Sequence, residues 1–151
     1  MNSDFRDLLS ALNAHGVEYL IVGAYAMAAH GRVSATGDIE VWVNATKNNA
    51  PRVIRALAEF GAPLHDLSET DLCEPDVVFQ IGVAPIRIDI LTSIDDVDFS
   101  DAWGARFSTR FADQSVAVLS EAHLIRNKRA VGRSQDLADV EWLENPAKRE
   151  A

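Results

Sequence analysis

Two stretches of the chain alternate between apolar and polar residues, which is typical of strands with one buried face. Isoleucine and valine take every second position between residues 38 and 43, and isoleucine does so between residues 86 and 90. Successive side chains of a strand point to opposite faces. Asp38 and Glu40 therefore share one face of the first predicted strand, and Arg87 and Asp89 share one face of the second.

Other stretches repeat apolar residues at intervals of three and four, which predicts amphipathic helices. The first such helix covers residues 4–15 and is ended by Gly16. Further helices are predicted at residues 24–30 and 51–60, and a proline fits the first turn of the latter.

Two serines near the carboxyl end are typical helix N-caps. Ser120 is expected to cap a helix that runs to Ala130, and Ser134 is expected to cap the last one. The last helix has an apolar stripe that should pack inward, formed by Leu137, Val140 and Leu143. Residues 145–151 are predicted to be a flexible tail.

Three more apolar runs complete the predicted sheet. Residues 17–22 form a nearly continuous run, and residues 77–81 precede the strand at 86–91 closely enough for a β-hairpin. A last short strand is expected at residues 116–119. We therefore predict one α/β (α+β) domain over residues 1–144, with a mixed β-sheet flanked by helices.

The polar strand faces carry three carboxylates in a pattern that suits a metal site. Asp38 and Glu40 stand about 6.5–7 Å apart along their strand, close enough for their oxygens to converge on a cation. Asp89 is expected to supply a third ligand from a neighbouring strand. Taken singly, each would be an ordinary solvent-facing residue. As a set they repel one another unless a cation or water relieves them, and oxygen ligands suit Mg²⁺.

A tight turn at Gly23 joins the strand at 17–22 to the helix at 24–30. Glycine allows such a turn without steric strain, and backbone can approach a ligand closely there. The helix would begin with unpaired N–H groups near Gly23 and Ala24, a place for a phosphate group. One site could thus hold a triphosphate and a metal together.

Composition narrows the class of protein. The chain has 151 residues, a formal net charge of −9 and a single cysteine, Cys73, so internal disulfides are excluded. No signal-peptide pattern and no membrane-length apolar run occur, so we expect a cytoplasmic protein without a membrane partner. An acidic chain disfavours broad nucleic-acid binding. An RNA-binding patch would require the cluster of Arg126, Lys128, Arg129 and Arg133, which otherwise is a solvated helix face.

Several other kinds of site are disfavoured by spacing. The four histidines lack zinc-ligand spacing and have no paired cysteines beside them. The Walker pattern and the G-x-S-x-G elbow are absent. The acidic run from Asp95 to Asp101 lacks the glycine and the terminal glutamate of a calcium loop, so it is interpreted as a solvated turn and helix start.

The order of these residues resembles the polymerase-β-type nucleotidyltransferase superfamily, whose motif is hG[GS], then Dh[DE]h, then a third acid on a later strand. Here Gly23-Ala24, Asp38-Ile39-Glu40 and Asp89 take those places. The neighbouring residues at 29–32, 35–38, 87–92 and 128–133 look more narrowly like small bacterial nucleotidyltransferase-like proteins, some of which belong to toxin–antitoxin systems. The resemblance covers about residues 17–143.

The resemblance implies a Mg²⁺-dependent nucleotidyltransferase, with two ions per site, that moves a nucleoside monophosphate from an NTP such as ATP to a hydroxyl group. Asp38, Glu40 and Asp89 would be the catalytic and metal-binding residues. The implied acceptor is an RNA, such as tRNA, or a protein, and a cognate toxin or antitoxin is a further implied partner. The nucleotide-binding residues would be Gly23, Ala24, Arg32, Thr36 and Lys128.

Four positions depart from the family pattern. Ala24 stands where the family has glycine or serine, so a hydroxyl contact to phosphate is missing, and Glu40 replaces the commoner aspartate. Ser34 and Gln135 stand where the small bacterial group favours basic residues. These departures keep open a second interpretation, in which the chain is a catalytically inactive nucleotidyltransferase-like antitoxin or binding module.

Overall fold

A six-stranded mixed sheet forms the centre of the protein in a computed structural model that describes residues 2–35, 37–83 and 86–147. The strands lie in the order β3-β4-β2-β1-β6-β5. β2 pairs with β4 and β1 pairs with β6 in parallel, whereas the other neighbours are antiparallel. The prediction of a mixed sheet is confirmed. The strands are β1 (Tyr19–Val22), β2 (Asp38–Val43), β3 (Val78–Val83), β4 (Ile86–Leu91), β5 (Phe107–Phe111) and β6 (Gln114–Val118).

In the described part of the chain six α-helices accompany the sheet, and a short 3₁₀ turn covers Asp71–Cys73. Ser120 accepts a hydrogen bond from the backbone N–H of His123 and so caps α5 as predicted. The helices are α1 (Ser3–Ala14), α2 (Gly23–Ala29), α3 (Ala50–Phe60), α4 (Phe99–Gly104), α5 (Glu121–Val131) and α6 (Ser134–Glu144).

The core lies on the apolar face of β2 and β4. Ile39, Val41, Ile88 and Ile90 are buried there in one cluster with the apolar side chains of α1 and α3. Full burial of each such side chain stabilises the fold by about 1.5–3 kcal/mol. Alternation along the strands gives the opposite face of the same two strands polar residues at its beginning, with Trp42 and Leu91 at its end.

Three details differ from the sequence-based expectations. β5 was not predicted, although it forms a hairpin with β6. Ser134 is the first residue of α6 rather than its N-cap; the N-cap is Arg133, whose backbone N–H donates to the carboxylate of Asp136. Leu137 does not pack inward but is 51% exposed, whereas Val140 and Leu143 are buried as predicted.

Across the described residues, every helix is too short or too polar to cross a lipid bilayer. The tail predicted from residue 145 lies partly outside the described part of the chain, which ends at Ala147.

Candidate active site

The register of β2 against β4 places the predicted acids side by side. Glu40 stands directly opposite Asp89, and Asp38 stands opposite Arg87. Paired residues of neighbouring strands point to the same face and lie about 4.8 Å apart. The polar face of β2 and β4 therefore carries all three carboxylates on two adjacent parallel strands.

Arg87 joins two of these acids. Its Nη2 atom lies 3.1 Å from Oδ2 of Asp38 and 3.3 Å from Oδ2 of Asp89. On the other side, Nε2 of Gln80 donates to Oδ1 of Asp89 over 3.3 Å. The buried Nε of Arg87 has no hydrogen-bond partner among the described residues. A side-chain cation thus stands between the two aspartates and relieves the repulsion expected from the sequence.

Glu40 turns away from this pair, toward the glycine turn. Gly23 has a φ of +68°, and a Cβ built on it would lie 1.8 Å from Oε2 of Glu40. Only glycine leaves room for the carboxylate at this point. Burial is the main cause that raises the pKa of the Glu40 carboxyl above its ordinary value, and the charge of Asp89 adds to the effect.

A cavity of about 370 Å³ opens beside Gly23 and Glu40. The loop after α2 lines one side with Arg32 and Ser34, and α5 and α6 line the other. A smaller cavity of about 200 Å³ shares Gly23 and Glu40 with it and extends between the end of β4 and α5. Of the three sheet acids, Glu40 thus adjoins a space for a ligand.

Lys128 reaches this cavity from the last turn of α5, although it is 7% exposed. Its Nζ lies 2.8 Å from Oδ2 of Asp139 and 3.3 Å from Oδ1 of Asp136. Both carboxylates belong to α6 and are buried. Two partners of opposite charge compensate Lys128 for the loss of solvation.

Two arginines at the cavity are held by the same two acids. Nε of Arg32 lies 3.1 Å from Oδ1 of Asp139, and its guanidinium lies 5.8 Å from the ring centre of Trp142. Nε of Arg133 lies 2.7 Å from Oδ2 of Asp136. Of the predicted nucleotide-binding residues, Gly23, Ala24, Arg32 and Lys128 all line the cavity. Thr36 lies outside the described residues.

The basic cluster considered for RNA binding does not form an uncompensated patch. Arg126 pairs with Asp96 over 3.0 Å, and Arg129 pairs with Glu144. Lys128 and Arg133 pair with the acids of α6. Each basic residue of the cluster therefore has a carboxylate partner that reduces its attraction for phosphate.

The three carboxylates are of the chemical type that binds Mg²⁺. The three carboxylates supply the oxygen ligands that Mg²⁺ prefers, and two aspartate oxygens already lie within 3.3 Å of one positive centre, Nη2 of Arg87. In the described part of the chain, however, no group of three such side chains has gathered at metal-binding distance. Mg²⁺ at this place would require Arg87 to leave and Glu40 to turn.

Sequence patterns alone did not assign Arg133, Asp136 and Asp139 to the nucleotide site. A signal existed in α6, since each of its two aspartates stands four residues before a buried apolar residue. Asp136 precedes Val140 and Asp139 precedes Leu143 by one helical turn. An acid on the inward stripe of a helix requires a buried partner, and here the partners are the cations of the cavity.

Solved nucleotidyltransferases share this fold. The lincosamide antibiotic adenylyltransferase LnuA, solved with lincomycin bound, is 15% identical, with 96% of this chain and 97% of that chain covered and a TM-score of 0.59. A putative nucleotidyltransferase (TM1012) from Thermotoga maritima is 18% identical, with 95% and 88% covered and a TM-score of 0.57. The antibiotic-resistance factor ANT(2'')-Ia is 16% identical, with 98% and 86% covered and a TM-score of 0.61.

The predicted nucleotidyltransferase fold is thereby confirmed. No protein-family model and no curated protein sequence matches the chain.

Proposed function

We propose that the protein is a Mg²⁺-dependent nucleotidyltransferase that moves a nucleoside monophosphate from an NTP to a hydroxyl group. The observation that carries the proposal is the placement of Glu40 opposite Asp89 on adjacent parallel strands, beside Gly23 and a cavity with three cationic side chains. Carboxylates and cations in one cleft provide for a metal and for phosphates, which are the two needs of phosphoryl transfer.

Asp38, Glu40 and Asp89 would hold the metal, which neutralises charge on the phosphates and activates the acceptor hydroxyl when bound. The acceptor oxygen forms a bond to the α-phosphorus while the bond from that phosphorus to the pyrophosphate oxygen breaks. Asp89 would accept the proton of the acceptor hydroxyl, and pyrophosphate would leave. Arg32, Lys128 and Arg133 would bind the phosphate oxygens.

The acceptor supported best is a small molecule with a hydroxyl group. LnuA is described with lincomycin bound, and another structure of ANT(2'')-Ia is described in complex with adenylyl-2''-tobramycin. That second structure is 14% identical, with 97% of this chain and 90% of that chain covered and a TM-score of 0.60. Outside the cavity, the pairing of Arg126 with Asp96 and of Arg129 with Glu144 favours an acceptor without phosphates over RNA.

RNA or protein acceptors, and a toxin or antitoxin partner, stay predictions from the sequence resemblance. Transfer of label from α-³²P-NTP tests all of them together. One reaction series contains aminoglycosides and lincosamides, one contains tRNA, and one contains the protein products of neighbouring genes. Label should appear in a small-molecule product with wild type and not with Asp38→Asn, whereas label only in tRNA or only in protein would replace the small-molecule proposal.

A second candidate function is that of a nucleotidyltransferase-like binding module without catalysis, such as an antitoxin. The contact of Arg87 with both Asp38 and Asp89 favours it, because a fixed guanidinium would keep a metal from those two carboxylates. Nucleotide binding without transfer to any of the three kinds of acceptor, together with a stable complex with a neighbouring gene product, would favour this candidate.

A further inference from the structure

The larger cavity carries equal numbers of positive and negative side chains. Its described lining contains three cations and three carboxylates. Glu40 belongs to the sheet, but the other two carboxylates come from α6 and belong to no predicted metal site. These six residues are Arg32, Lys128, Arg133, Glu40, Asp136 and Asp139.

The two aspartates of α6, Asp136 and Asp139, both pair with the cations of the cavity. Asp136 is 2% exposed and accepts from Nε and Nη2 of Arg133 at 2.7 and 3.2 Å, and from Lys128 at 3.3 Å. Burial acts to raise the pKa of Asp136, but the hydrogen bond from Arg133 and the charge of Lys128 together lower it below its ordinary value. Asp136 is therefore an anion at neutral pH.

Asp139 is 5% exposed and holds the remaining cation. It accepts from Lys128 at 2.8 Å, from Nε of Arg32 at 3.1 Å and from Nε2 of Gln135 at 3.0 Å. Each cation has further N–H donors, since a guanidinium carries five and an ammonium three. The cations can thus still donate to phosphate oxygens, although much of their charge is already balanced.

We propose that Asp136 and Asp139 determine specificity at this site: as built-in counter-anions of Arg32, Lys128 and Arg133, they exclude metal-free polyphosphates in favour of a triphosphate that carries its divalent cation. The inference rests on the proposed function. A triphosphate without metal brings several negative charges into a cavity with no net positive charge to receive them. Its metal complex carries less negative charge and brings a ligand for the sheet carboxylates.

If Asp139 acts as a counter-anion, removing its charge should increase the affinity of the cavity for an anion. Asparagine has nearly the shape of aspartate, so Asp139→Asn removes one negative charge while it keeps the volume. One unit charge a few ångströms from a bound anion changes its affinity by about tenfold at the dielectric of a protein surface. A role of Asp139 only in holding Arg32 in place predicts the opposite direction, because a loosened arginine binds an anion less well.

The test is calorimetric titration of inorganic tripolyphosphate, without divalent metal and with EDTA present, into the full chain. Asp139→Asn and Asp136→Asn should bind it about tenfold more tightly than wild type. The matched control is Asp96→Asn, which removes one carboxylate from an exposed arginine pair and should leave the affinity unchanged. Equal or weaker binding by both α6 variants would overturn the proposal.

Exposed Gln135 supplies a second pair of variants in case a buried asparagine prevents folding. Gln135→Glu should weaken tripolyphosphate binding and Gln135→Lys should strengthen it, each by about tenfold. Unchanged affinity in both would contradict a charge-balanced cavity.

Titration of Mg-ATP separates this inference from the proposed function. If wild type binds Mg-ATP but the α6 variants do not gain affinity for tripolyphosphate, the inference alone is wrong. If the variants gain that affinity but wild type binds no Mg-NTP, the charge balance is real and the proposed function is wrong. The full proposal requires that wild type prefers Mg-ATP and that Asp139→Asn reduces this preference about tenfold.

Discussion

Gly23 lies directly beneath the carboxylate of Glu40: a Cβ atom at residue 23 would stand 1.8 Å from Oε2 of the glutamate. Real Cβ atoms do not approach oxygen so closely. The turn that ends β1 and the second acid of β2 are therefore fitted to each other, and the antiparallel pairing of Val22 with Glu40 brings them together. This contact connects the predicted phosphate turn to the predicted metal site.

Gly23→Ala should destabilise the fold and disrupt the site at the same time. An alanine at φ +68° costs about 1–2 kcal/mol of backbone strain, and Glu40 must also move to make room for the methyl group, which adds about 1–3 kcal/mol. Chemical denaturation should show the sum of both effects, and Mg-NTP binding should be lost.

Gly16→Ala is the matched control, because Gly16 has a φ of +64° with nothing within 4 Å of an added Cβ. It should show only the backbone strain and keep nucleotide binding. Equal losses of stability in the two variants would show that the close contact between residue 23 and Glu40 does not contribute to the loss.

The raised pKa of Glu40 predicts how stability changes with pH. The native state favours the neutral carboxyl, so the contribution of Glu40 to stability is complete below its ordinary pKa of 4.5 and is lost as pH rises through the higher folded-state value. Glu40→Gln is neutral at every pH. Its free energy of unfolding in metal-free buffer should therefore rise relative to wild type as pH increases above the ordinary pKa of 4.5, by about 1.4 kcal/mol for each unit of pKa shift.

Urea denaturation at several pH values measures this difference. Glu69→Gln, at an exposed position, is the control, because it shows how the loss of a surface carboxylate changes the free energy of unfolding. A difference between Glu40→Gln and wild type that stays constant or shrinks over this pH range would contradict the account of Glu40.

Arg87 should compete with divalent metal for Asp38 and Asp89. Its Nη2 lies within 3.3 Å of both carboxylates, and Mg²⁺ binds oxygen at about 2.0–2.1 Å, so both cations cannot stand there together. Arg87→Gln should bind Mn²⁺, a paramagnetic substitute, about tenfold more tightly, because one competing charge is removed.

Electron paramagnetic resonance of free Mn²⁺ measures this affinity directly. Arg6→Gln is the control, since Arg6 also pairs with an aspartate, Asp113, but on the surface. Weaker Mn²⁺ binding by Arg87→Gln would mean that Arg87 holds the aspartates in place for the metal rather than competing with it.

Strand periodicity was sufficient to predict which residues of β2 and β4 share a face, because side-chain direction alternates with period two whatever the tertiary context. It could not predict β5. The turn that joins β5 to β6 contains Ala112 at φ +53°, where a hairpin turn normally has glycine or asparagine, so the usual sequence signal is missing.

The ion pairs of α5 and α6 could not be predicted from the sequence, because they depend on how the two helices pack against each other. Ser134 is a typical cap by residue type, but Arg133 and Asp136 pair across the start of α6 and replace it. Leu137 fits an inward stripe by spacing, yet Asp136 and Asp139 take the inward direction to meet Lys128, and this rotates Leu137 outward. The partners of Lys128 follow only from the contact between α5 and α6.

The central claim is that the three sheet carboxylates and the cavity beside Gly23 form one site for Mg-NTP. The most direct measurement is calorimetric titration of Mg-ATP and Mg-GTP into wild type, Asp38→Asn, Asp89→Asn and the surface control Asp113→Asn. We expect saturable binding of at least one nucleotide by wild type and the control, and at least about tenfold weaker binding by the two site variants. Absence of NTP binding at millimolar Mg²⁺, or equal binding by all four proteins, would contradict the claim.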